Sequence, residues 1–74
     1  MAQADLNLRG LKCPLPALKT RKALARLVTG DELIVTCTDP LAAIDIPNLL
    51  ARTGDELLNA EKIGDQLFFK IRKK

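Results

Sequence analysis

An α+β fold of order βαβαββ, a two-layer sandwich with two helices on one face of a four-stranded mixed sheet, follows from three observations. Four segments carry the alternating or β-branched pattern of strands. Two others open beside prolines and close on glycine, as helices do. The pair Gly64-Asp65 separates the last two apolar runs as a two-residue hairpin turn. The 74 residues are 47% hydrophobic and contain no linker, repeat or low-complexity stretch, so a single domain over residues 1–74 is expected.

The run Asp5-Leu6-Asn7-Leu8 alternates apolar with polar and reads as the first strand, broken by Gly10. Pro14 then suits the start of a helix, where its missing N–H is not needed and its fixed φ fits the turn. The helix reads as Leu15–Val28, placing Cys13 at its N-cap and Gly30 after its end. Ala17, Leu24 and Val28 share a face, widened by Leu18, Ala25 and Leu27, while Lys19, Lys22 and Arg26 lie opposite.

The second strand is Leu33-Ile34-Val35-Thr36-Cys37-Thr38. Asp39-Pro40 signals a turn. Because proline is poorly tolerated deep in a helix, Pro47 predicts an irregular turn over Leu41–Ile44. A short helix from Ile46 to Thr53, capped by Asp45 and stopped by Gly54, follows. Strands over Glu56–Ile63 and Gln66–Ile71 complete the chain, with Leu67, Phe69 and Ile71 facing one way.

A β-α-β crossover is right-handed and pairs its strands in parallel. The ends of the first two strands and the starts of both helices then meet at one edge. Cys13, Cys37, Asp39 and Asp45 are expected at that rim, where open α/β sheets carry their sites. Asp39 and Asp45 read as helix caps rather than acid–base groups, and Cys37 as a core residue, with a resolving-thiol role as the alternative its place near the rim leaves open.

Charge singles out the same region. No Asp or Glu occurs from Leu6 to Gly30, yet Arg9, Lys12, Lys19, Arg21, Lys22 and Arg26 all do. Cations beside a thiol lower its pKa and attract anionic partners. With the helix dipole added, Cys13 is expected to titrate below the usual ~8.5 but above the ~3.5 of the most acidic capping thiols. Lys12 is the nearest stabilising cation. The two prolines leave the N–H groups of Leu15 and Ala17 as local donors to the sulfur.

Several chemistries are excluded. The chain has no histidine, so a Cys-His dyad cannot form within one subunit. Pro16 occupies the place of the second cysteine of a C-x-x-C dithiol. Two cysteines without histidine make a poor zinc set, no metal or other cofactor is implied, and a glycine-rich phosphate loop is missing. What remains is the chemistry of one sulfur: attack on a sulfane sulfur, storage as a persulfide, and delivery to an acceptor. The absence of a long apolar run predicts no membrane association, and the start MAQADLNL lacks the features of a signal peptide. A reducing, cytoplasmic setting is the expectation.

The segment Leu8-Arg9-Gly10-Leu11-Lys12-Cys13-Pro14-Leu15-Pro16, followed by Asp39-Pro40 and Asp45-Ile46-Pro47, resembles the TusA-like (SirA-like) sulfurtransferase and sulfur-carrier family. The likeness runs from Leu6 to Lys73 and includes its C-P-x-P motif. It implies a sandwich like the C-terminal domain of translation initiation factor three, with Cys13 as the sulfur acceptor. It further implies a cysteine desulfurase or rhodanese as donor and a DsrE-type or other thiol protein as acceptor. Members serve tRNA wobble-uridine thiolation, sulfur oxidation or molybdenum-cofactor assembly. Some carry a second cysteine after the D-I-P motif; here the chain reads Asn48-Leu49-Leu50.

In this reading Lys12, Pro14, Leu15 and Pro16 support the thiolate, and Arg9, Lys19, Lys22 and Arg26 dock an acidic partner. The alternative is a non-catalytic regulatory or protein-binding module. Direct nucleic-acid binding is disfavoured, because two Phe with no Trp or Tyr offer little stacking surface.

Overall fold

The computed structural model describes residues 3–74; the first two residues of the expected 1–74 domain lie outside the described residues. The elements are β1 (Gln3–Leu8), α1 (Leu15–Ala25), β2 (Glu32–Cys37), α2 (Ala42–Thr53), β3 (Glu56–Ile63) and β4 (Gln66–Arg72), in the order read from the sequence. The sheet order is β1-β2-β4-β3. β1 and β2 run parallel, while β4 pairs antiparallel with β2 and β3. Leu33, Val35 and Cys37 stand level with Ile71, Phe69 and Leu67, and all six are buried. Alternation therefore gives the sheet one apolar face, which α1 and α2 cover. On the other face Glu32 pairs with Lys70 and Arg72, and Arg72 also reaches Glu56.

α1 is shorter than expected and buries a different stripe. It ends at Ala25, where Arg26 and Leu27 donate to carbonyls three residues back, and the Asp31 carboxylate takes the Val28 N–H. That side chain competes with the helix for the donor, so the chain leaves before Gly30. Val28 is 68% exposed, Leu18 is 51% exposed, and Ala25 also faces water. The buried positions are Pro16, Thr20 and Leu24, with Ala17, Ala23 and Leu27 beside them. A polar Thr20 at the centre of the stripe hides it from a reading based on apolar spacing.

α2 starts four residues earlier than Ile46. Leu41–Ile44 is not an irregular turn: Leu41 is the N-cap and residues 42–44 are helical. Asp39 starts this turn, accepting the Leu41 N–H on its carboxylate and the Ala42 N–H on its carbonyl. Asp45 is consequently inside the first turn rather than at the cap, and Pro47 lies within the helix. Pro47 forgoes one backbone bond, but burial of Ala42, Ile46 and Leu50 along one stripe holds the helix in place. Gly54 ends α2 as expected, at φ 82° with its N–H on the Leu50 carbonyl.

The last residues lace the sheet together at the edge where β2 and β3 begin. Gly30 N donates to the Lys73 carbonyl, Lys73 N donates to the Asp31 carbonyl, and Lys74 N donates to the buried Asp55 carboxylate. Among the described residues no helix is long and apolar enough to cross a membrane.

Thr20 is wholly buried and its hydroxyl has no hydrogen-bond partner among the described residues. A buried hydroxyl without a partner destabilises. Thr20→Val, which keeps the shape, is expected to raise stability by about 1 kcal/mol in urea denaturation. An unchanged or lower midpoint would contradict this account of the site.

Candidate functional site

β1 and β2 finish level, with Leu8 opposite Cys37, so the loops that follow leave from one edge. Those loops are tied together twice: Gly10 N donates to Thr38 Oγ1 at 2.9 Å, and Cys13 N donates to Asp39 Oδ2. The rim expected from topology is therefore present. Cys13, Asp39 and Asp45 meet there, whereas Cys37 lies beneath it, fully buried. Burial raises the Cys37 pKa, with a smaller contribution from Asp39.

Cys13 is exposed but is not the N-cap; Pro14 holds that position, and Pro16 is the second residue of the helix. The Leu15 N–H, expected to face the sulfur, donates instead to the Lys12 carbonyl at 2.9 Å. Cys13 Sγ donates to Asp45 Oδ2 at 2.7 Å. The thiol pKa is accordingly raised, the reverse of the sequence expectation. The Asp45 hydrogen bond acts first, then desolvation, then the charges of Asp45 and Asp39. Nor does Lys12 act on the sulfur as expected: its charge is felt at Asp39. The Asp39 carboxyl is held below its usual range by the N–H groups of Cys13 and Leu41, with Lys12 adding a smaller effect.

Two clefts flank the thiol. One, of about 530 Å³, runs between Lys12 and Cys13 on one side and Thr38, Asp39 and Leu41 on the other. The second, of about 300 Å³, lies between the helices. α1 lends it Ala17, Leu18 and Arg21, with Pro14 at its cap; α2 lends Asp45, Asn48, Leu49 and Arg52. Both sets follow the three-and-four spacing of one helix face. Sequence reading missed this second cleft. The spacing of residues 45, 48, 49 and 52 was there to find it, once α2 is started at Ala42.

The basic residues divide. Lys19 and Lys22 line a shallow groove on α1 with the exposed Leu15 and Leu18, while Arg9 donates to Asn7 and Arg26 caps the far end of α1. Arg26 is thus a helix length, roughly 16 Å, from the start of α1. No cluster of three or more His, Cys, Asp or Glu side chains suited to a metal occurs among the described residues.

The family model "Sulfurtransferase TusA" matches residues 4–73. The chain is 36% identical over 69 residues to "Sulfur carrier protein TusA" of Allochromatium vinosum, covering 93% of this chain and 91% of that one. It is 37% identical over 71 residues to the Pseudomonas entomophila protein of the same name, covering 96% and 89%.

The lowered Asp39 pKa fixes the sign of a pH effect. Its stabilising contribution is present above the unfolded value of about 3.9 and is lost as pH falls through the lower folded value. Asp39→Asn is expected to melt below wild type at pH 6, and the gap should narrow below about pH 4. A gap of equal size at both ends would refute the assignment.

Proposed function

The chain belongs to the sulfurtransferase TusA family, whose business is the carriage of sulfur, and on that premise we propose that Cys13 is the carrying atom's anchor. The protein accepts a sulfane sulfur from a protein-bound persulfide, holds it as Cys13-S-SH, and hands it to a thiol of a second protein. One observation carries this reading: Cys13 is exposed at the junction of two clefts while Cys37 is sealed in the core. A partner loop can reach the first sulfur and not the second.

The surroundings support a carrier more than a self-sufficient enzyme. The clefts are open, and the groups beside the sulfur are two carboxylates with no oxyanion hole among the described residues. Sulfur exchange needs little more than a positioned nucleophile and a good leaving thiolate. The donor and acceptor supply what this site lacks. A cysteine desulfurase or rhodanese fits the donor role and a DsrE-type thiol protein the acceptor role.

Leu15 and Leu18 give the partner an apolar contact close to Cys13, and Lys19 and Lys22 surround it with positive charge. An acidic, partly apolar surface on the donor complements this helix face. Arg9 and Arg26 extend the same positive field without lining the groove.

Intact-mass analysis after incubation with a cysteine desulfurase, pyridoxal phosphate and cysteine tests the chemistry. Wild type and Cys37→Ala are expected to gain one sulfur atom, located at Cys13, and Cys13→Ser none. A wild-type protein that gains no sulfur overturns the proposal. For the docking face, Lys19→Glu combined with Lys22→Glu should slow loading about tenfold at low ionic strength, the deficit shrinking as salt rises. An equal rate at low salt would remove these lysines from the interface.

A further inference from the structure

Among the described residues the one side chain that bonds to the reactive sulfur is an acid, and an acid is the wrong neighbour for a standing thiolate. With Sγ 2.7 Å from Asp45 Oδ2, the bond exists only while the sulfur keeps its proton. Ionisation would set two negative charges at that distance, with Asp39 adding a third nearby. The other charged groups around the pair are Lys12, Arg21 and Arg52. Lys12 acts on Asp39, and neither arginine forms an ion pair with Asp45 among the described residues. Among the described residues the side chain bonded to Asp45 is therefore the thiol.

We propose that Asp45 is a positioning residue that guards the unloaded carrier, holding Cys13 as a thiol at the mouth of the cleft between the helices. This rests on the carrier reading and adds to it. A guarded thiol reacts slowly with stray electrophiles in solution. Once ionised, it is also a stronger nucleophile than an acidic thiol, because nucleophilicity falls as pKa falls. The site thus trades a standing population of thiolate for reactivity at the moment of transfer.

Loading is a balanced exchange without net oxidation. Cys13-SH and a donor R-S-SH give Cys13-S-SH and R-SH. The Sγ–S bond forms, the donor S–S bond breaks, and the thiol proton ends on the departing R-S group. The loaded Sγ has no proton to give, so the bond to Asp45 is confined to the empty carrier. Asp45 distinguishes the two states.

The test is the pH profile of Cys13 alkylation by iodoacetamide, read by intact mass, in wild type, Asp45→Asn and Asp45→Ala. Melting curves confirm that each variant folds, and the isosteric Asn variant stands in if the Ala variant does not. Removing the carboxylate is expected to move the midpoint down by about one pH unit, making alkylation at pH 7 about threefold faster, because the gain in thiolate is partly offset by its lower nucleophilicity. Loading from glutathione persulfide at pH 7 should quicken in the same variants. Profiles that overlay on wild type overturn the proposal. Slower persulfide loading in Asp45→Asn also overturns it, in favour of Asp45 as the proton acceptor of the attack. Failure of wild type to take sulfur from a desulfurase would instead remove the carrier reading and leave the alkylation comparison standing.

Discussion

The parallel pairing of β1 with β2 is the constraint on which the reactive edge depends. Their registers end together at Leu8 and Cys37, so Gly10 meets Thr38 and Cys13 meets Asp39 as the chain turns into each helix. The inward row Leu33, Val35 and Cys37 fixes that register, because a slip of one residue would turn it out to water. The same slip would move Asp39 by about 3.3 Å along the strand, beyond hydrogen-bond reach of the Cys13 N–H. Core packing and site assembly are one requirement. The sulfur stands at the surface, but its place is set by buried side chains several residues away.

Much of the architecture was legible because each element states its period. The alternation in β1 and β4, the β-branched run in β2, the Gly64-Asp65 turn and the stop at Gly54 were all read from the chain, and topology then predicted the rim. The failures share a physical origin. Pro47 and Thr20 are locally unfavourable residues held where they are by tertiary burial, and neither the start of α2 nor the buried stripe of α1 follows from local preference. The early end of α1 has a similar cause, since Asp31 takes a donor that sequence spacing assigns to the helix. Asp45 was read as a cap for want of the first turn of α2, and its bond to Cys13 depends on how the two helices face each other.

At Cys13 a carboxylate stands nearer than the helix end does. A helix end offers about half a charge spread over several N–H groups, and its influence fades within the first turn. Cys13 sits one residue outside the cap, and the Leu15 N–H is committed to Lys12. A full carboxylate charge at 2.7 Å outweighs that partial one. The surplus of lysine and arginine in the first thirty residues does not reverse this, because Lys19 and Lys22 stand along the outer helix face and the charge of Lys12 acts on Asp39. Net charge in a segment describes what it attracts from a distance; the nearest atom decides a proton.

The lacing at the far edge of the sheet has a further consequence. Gln3 is level with Glu32, and Glu32 with Arg72, so the chain enters and leaves at the end opposite to Cys13. Lys73 and Lys74 are held there by Gly30, Asp31 and Asp55. Polypeptide joined after Lys74 would project from the end of the sheet opposite the sulfur, leaving Cys13 unshaded.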